Sequence, residues 1–333
     1  MQLTNKLTNP KTFKNFSVWM TRSIILLVLT GGIVRLTESG LGCADWPNCT
    51  KNSFIAPLKY HALVEDTNRF VVTLVSVIII LNFIWAIKLR RKQSIITAST
   101  IIGLLVGQIF MGALVVYSHL WPPFVMLHFF LSILMIVAGV IQVHTSSKLF
   151  NNTSGKSALN SKLRLNQIER HNINLMSKLV VTMTFIVILV GTAVTGAGPH
   201  SGSIGSKRLP ISYIKIAFIH IGVVSLLFFS LATLVLYISK LEFSKDVIKW
   251  GYFSIEALMA QAAVGLIQLI FHSPALVVGI HLFGACAVIS IIFEFYLLVI
   301  DQLNFTEKVN ESSLYISNID DAKEGNRSVV NTD

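Results

Sequence analysis

Two stretches of this chain place the same polar residues at the same spacing. Gln108 is followed by Gly112, His119, Pro122 or Pro123, and His128. Gln261 is followed by Gly265, His272, Pro274 and His281. Gln and the final His are 20 residues apart in both, and the copies are offset by 153. Both lie in strongly apolar sequence. Imidazoles are expensive there unless they pair or bind something.

The second half offers the clearer chemistry. His220 and His281 each open an apolar run from the same side, so their rings sit at similar depth. Neutral imidazoles from facing helices supply both axial ligands of a haem iron. The plain alternative is that each His bonds a neighbouring helix. In the first half His128 corresponds to His281, and Asn68 stands where the second half has His220, at an offset of 152. Asn is a poor haem ligand. One His beside the carboxylate of Glu65 suits an exchangeable substrate or an open iron position. Glu65 lies three residues before Asn68 on one helical face, and also suits an interfacial ion pair with Arg69 or Arg35. Arg35 and Arg69 sit at outer helix ends, where guanidinium groups bind haem propionates bidentately or snorkel to the interface. His119 and His272 lie in short links and either line the site mouths or face water. Gln108 and Gln261 suit interhelical hydrogen bonds, and Gly112 and Gly265 close helix packing. Cys43 and Cys49 form a C-x5-C pair in an outer loop, able to close a disulfide or to stay as thiols. Cys286 reads as a packing residue.

The elements that carry these residues follow from hydropathy. The 333 residues have mean hydropathy +0.68, 53% hydrophobic and 13% charged residues. A soluble chain carries about 25% charge. Eight apolar runs reach membrane-spanning length, roughly 17–36, 66–88, 95–117, 123–144, 178–196, 213–238, 248–270 and 275–299. The first lacks a small-residue cleavage site and reads as a retained span despite Lys6, Lys11, Lys14 and Arg22 around its start. The net charge of +11 falls mainly in alternate loops (Lys88 to Lys92, Lys148 to Lys178, Lys240 to Lys249), a positive-inside pattern rather than a nucleic-acid surface. Both termini are then cytoplasmic. Lys207 and Arg208 are a minor exception.

The fold class expected is an all-α integral membrane protein of two duplicated four-helix bundles. Residues 1–144 form the first half, 145–177 a cytoplasmic linker, 178–299 the second half and 300–333 a disordered tail. Thr37 and Gly40 at the end of span 1 match Thr195 and Gly198 at the end of span 5, which supports parallel repeats.

With these residues in view, the chain resembles the haem A synthase family over about 20–300. The motifs are Gly31-Gly-Ile-Val-Arg35-Leu-Thr-Glu-Ser-Gly-Leu-Gly-Cys43-Ala-Asp-Trp-Pro-Asn-Cys49, Glu65-x-x-Asn68-Arg69, Leu127-His128-Phe129, Thr195-Gly-Ala-Gly-Pro-His200-Ser-Gly202, His220 and His281. The resemblance implies oxidation of the C8 methyl of haem O to a formyl group, giving haem A for terminal oxidases. It implies haem b on His220 and His281, haem O in the first half with Glu65 as catalytic carboxylate and His128 as ligand, and a Cys43–Cys49 disulfide. The implied location is the plasma membrane. The expected partners are haem O, haem A, membrane lipid, a haem O synthase and terminal oxidase assembly factors; a homo-oligomer is allowed. Two features depart from the family pattern. Asn68 stands where many members have His, and the loop 197–212 lacks a second cysteine pair. Two other readings are a non-catalytic di-haem electron carrier, which Asn68 counts against, and a transporter, for which broken spans are not evident.

Overall fold

The computed structural model describes residues 9–153 and 163–330, with side chains over 9–151 and 163–307. Lys6, the middle of the expected linker and residues 331–333 lie outside the described residues. Backbone groups facing hydrocarbon must be satisfied within their own segment, so apolar runs of this length fold as helices. The helices are α1 (Pro10–Leu36), α2 (Tyr60–Leu89), α3 (Lys92–Tyr117), α4 (Pro122–Thr153), α5 (Gln167–Ala197), α6 (Tyr213–Lys240), α7 (Lys245–Ile270) and α8 (Ala275–Val330). All eight are long and apolar enough to cross a membrane.

Most helices run past the apolar spans. Asn9 caps α1 by accepting from the Lys11 N–H, with Pro10 in the first turn. Asn166 and Glu169 make a reciprocal capping box that starts α5 inside the expected 145–177 linker. The last helix does not stop at residue 300. Helix α8 continues through it, because Gln302, Leu303 and Thr306 are buried and Glu307 pairs with Arg170 of α5. The polar composition beyond residue 300 hid these contacts.

In the first half α1 packs on α2, α2 on α3, α3 on α4 and α4 back on α1. In the second half α5, α6, α7 and α8 close a ring in the same order. The halves meet through α4, α8, α1 and α5. Helix α8 serves both cores. Cys286, Ile289 and Phe293 pack with Met20, Ile24 and Ile136, while Val288, Ile292 and Phe295 pack with Leu227, Leu231 and Leu258. Outward faces carry exposed Phe110, Phe229 and Leu276, as lipid contact requires.

The hairpins between α3 and α4 and between α7 and α8 turn alike. His119 and Leu120 between α3 and α4, and His272 and Ser273 between α7 and α8, are all left-handed, with φ of 54°, 60°, 57° and 61°. In each turn the His is exposed and the next residue buried. Neither loop His therefore lies among buried site residues.

Polar ties hold the halves together at both ends. On the outer side, Arg35 Nε donates to the His200 carbonyl at 2.8 Å and Nη2 to the Thr195 carbonyl at 3.0 Å. The Gly40 N–H donates to the Gly202 carbonyl at 2.8 Å. Gly202 has φ of 101°, which favours glycine. His200 Nε2 in turn donates to the Ser273 carbonyl at 2.9 Å. At the opposite end, His144 of α4 bridges Glu294 and Asp301 of α8, Nδ1 to Oε1 at 2.9 Å and Nε2 to Oδ2 at 3.0 Å. Lys148 joins Asp301 at 2.7 Å. Replacing His144 with Leu leaves Glu294 without this partner and both carboxylates close together. Breaking such a buried set costs about 3 kcal/mol. We expect the melting midpoint in detergent to fall by several degrees; an unchanged midpoint would show that the bridge contributes nothing to stability.

Candidate functional site

Three histidines are seated in the same way. His128 of α4 lies against Gly112 of α3, His220 of α6 against Gly191 of α5, and His281 of α8 against Gly265 of α7. A Cβ added at these glycines would stand 3.6, 3.1 and 2.9 Å from the respective imidazole Cε1. The missing side chain lets each ring lie along the neighbouring backbone, a more specific role than close helix packing.

The repeated glutamines fix the helix turn that carries the ring. Gln108 Nε2 donates to the His128 carbonyl at 3.0 Å and to Ser132 Oγ at 2.7 Å. Gln261 Nε2 donates to the His281 carbonyl at 2.8 Å and contacts His281 Nδ1 at 3.0 Å. Gly284, one turn on from His281, leaves the space that the Gln261 amide fills. The interhelical hydrogen bonds expected for both glutamines are therefore present.

His220 and His281 lie on α6 and α8, at opposite corners of the second ring. His220 Nδ1 is buried without a hydrogen-bond partner. His128 Nδ1 is likewise buried without a partner. Buried polar atoms are normally paired. His220 and His128 keep an unmet Nδ1 and all three rings lie in glycine cradles, which fits a group the chain does not supply. Two imidazoles from helices at opposite corners of one ring form a donor set that suits haem iron. The His220–His281 pair therefore fits haem.

The first half differs at one corner. Asn68 of α2 meets Thr30 of α1, with Thr30 Oγ1 2.7 Å from Asn68 Oδ1. Glu65, 6% exposed, stands one turn nearer the outer side. Its Oε2 accepts from the Cys43 N–H at 2.8 Å and its Oε1 from Arg69 Nη2 at 2.8 Å. The ion pair with Arg69 weighed from the sequence thus exists, and the one with Arg35 does not. Cys43 and Cys49 are disulfide-bonded. Arg69 also donates to the carbonyls of Asp45, Pro47 and Asn48, and Tyr117 Oη to that of Trp46. The disulfide loop is thereby pinned across the outer ends of α2 and α3.

Sequence reasoning did not find Thr30, Gly191 or His144. Gly191 had a signal, four residues before Thr195 in the matched end of span 5. Arg35 and Arg69 bind mainly backbone carbonyls, partners that leave no trace in a sequence. Cys286 is buried in the core, as a packing residue should be.

These features define a class, a multi-pass helical membrane protein with half-buried imidazoles seated against glycines in two four-helix rings. Comparison with known families narrows it. The profile of COX15-CtaA, described as cytochrome oxidase assembly protein, matches residues 14–199, and the chain belongs to this family.

Individual relatives agree. The chain is similar to the heme A synthase of Geobacillus thermodenitrificans, 34% identical over 97 residues, covering 28% of this chain and 30% of that protein. The heme A synthase of Geobacillus kaustophilus is 33% identical over 112 residues, 33% of this chain and 35% of the relative. The alignments thus span about a third of these two relatives. The heme A synthase of Rickettsia bellii aligns over 343 positions at 25% identity, covering 86% of this chain and 98% of that protein.

Proposed function

We propose that this protein is a haem A synthase, oxidising the C8 methyl of haem O to a formyl group. The observation that carries the proposal is the difference between the halves. One ring carries His220 and His281, each on a glycine; the other carries His128 on a glycine and Asn68 on Thr30, with Glu65 buried one turn away. The second half holds haem b through His220 and His281, and that group supplies one-electron redox chemistry. The first half takes haem O as substrate with His128 as its ligand. The methyl would be hydroxylated in two successive two-electron oxidations, with oxygen from water and four electrons and four protons passing to an external acceptor, and the geminal diol would lose one water to leave the formyl group. Glu65 handles the proton at its carboxylate, and its bond to the Cys43 N–H keeps the disulfide loop closed over the site.

Arg69 steadies that carboxylate, and Arg35 fixes the outer loop of the second half against the first. Either guanidinium reaches substrate propionates through its remaining donors. The halves are products of duplication, and both termini face the cytoplasm of a cell whose plasma membrane holds the chain. A farnesyl-adding haem O synthase upstream and terminal oxidase assembly factors downstream are the expected partners, and a homo-oligomer is compatible with this reading.

The test is to purify the protein from a host that makes haem O, then extract and identify its haems. Haem b together with haem O or haem A is the expected result. Two equivalents of haem b and nothing else would overturn the enzyme in favour of a membrane electron carrier.

A further inference from the structure

Three of the four helix pairs set a histidine against a bare glycine, and the fourth sets Asn68 against the Thr30 hydroxyl. Resting on the function proposed above, we propose that Thr30 holds Asn68 as a hydrogen-bonding, non-coordinating side chain. His128 is then the single protein ligand to the iron of the haem bound in the first half.

The argument starts from the amide. Its nitrogen lone pair is delocalised and does not bind iron, and its oxygen is a far weaker ligand to haem iron than imidazole. Thr30 Oγ1–H donates to Asn68 Oδ1 at 2.7 Å, which occupies the oxygen and turns it toward α1. The Leu27 carbonyl, 2.9 Å from the same hydroxyl, competes for its single proton. As an interior carbonyl of α1 it already has its helical partner, so it does not need that proton. Asn68 Nδ2 makes no hydrogen bond among the described residues and is left as a donor. The first half therefore offers one imidazole and one N–H donor. The second half offers two imidazoles seated on glycine. The difference lies in the seat as well as in the ligand, since a threonine on α1 supplies the hydroxyl that anchors the shorter amide.

The experiment uses the full-length ferric protein purified with both haems, read by electron paramagnetic resonance and by cyanide titration of the Soret band. The wild type should show one low-spin and one high-spin haem per chain, with cyanide shifting only the high-spin one. Asn68→His should give two low-spin haems and lose the cyanide response. Thr30→Val should keep the high-spin haem but weaken cyanide binding about tenfold, the loss of one oriented hydrogen bond to an anion. His128→Ala should remove the high-spin haem alone. Two low-spin haems in the wild type would overturn this inference and leave the proposed function standing. A single haem per chain on extraction would remove the first-half site, and with it both readings.

Discussion

Replacing His281 with alanine should take haem b from about one equivalent per chain to near zero while the eight helices stay folded. The expectation rests on how the residue is held. Gln261 grips the backbone carbonyl of residue 281 as well as the ring, and alanine keeps that carbonyl. The interhelical bond between α7 and α8 therefore survives. What disappears is one imidazole of the pair and the ring that fills the groove at Gly265. A companion variant reaches the same end without touching a ligand. A valine at residue 265 would place its Cβ 2.9 Å from His281 Cε1, before its methyl groups are counted. The ring must then turn away, and overpacking of this kind costs about 1–3 kcal/mol. Gly265→Val should also lose haem b. In both variants the first-half haem should persist, because His128 has its own glutamine and its own glycine. Pyridine haemochrome spectra of the purified variants give the answer. Haem b retained at wild-type level in His281→Ala would remove this residue from the ligand set.

The parts legible in the sequence are those with a period or a repeat. Eight apolar runs predict eight helices because hydrocarbon leaves the backbone few alternatives. The Gln-to-His repeat placed Gln108 and Gln261 correctly, since equal spacing on an α-helix puts both pairs in one geometry. The parts that were not legible depend on chain segments far apart. Arg35 and His200 are 165 residues apart, and the acceptor is a backbone carbonyl that any residue would supply. His144 sits at the end of its apolar run with partners 150 and 157 residues away. One of them, Asp301, lies in sequence polar enough to read as a tail. Thr30 looks like one more small residue in an apolar span until Asn68 is seen against it. The exchange of His for Asn is visible in the sequence; the hydroxyl that anchors the Asn is not.

Exchanging Glu65 for glutamine should lower haem A output by about 10²-fold or more, the scale of a lost general acid or base, with haem b unchanged. The isosteric change separates two jobs that the structure assigns to one side chain. Glu65 accepts the Cys43 N–H and so holds the disulfide loop; it is also the one carboxylate on Arg69 among the described residues, the other partners being backbone carbonyls. Glutamine keeps an oxygen for the Cys43 N–H and removes the charge. Arg69 retains the carbonyls of Asp45, Pro47 and Asn48, so the loop stays anchored. Thiol alkylation should find Cys43 and Cys49 still bonded, and the melting midpoint should move little. Alanine is the harsher change. It strands the Cys43 N–H and removes one of the two acceptors on Arg69 Nη2, which keeps the Asp45 carbonyl, and one unmet buried donor costs about 1–3 kcal/mol. Glu65→Ala should therefore lose haem A and loosen the loop together. If the glutamine variant makes haem A normally while the alanine variant does not, Glu65 is a positioning residue for the disulfide loop. The proton must then be handled by another group in the first half. If neither variant makes haem A while both hold haem b, the carboxylate itself is what the chemistry uses.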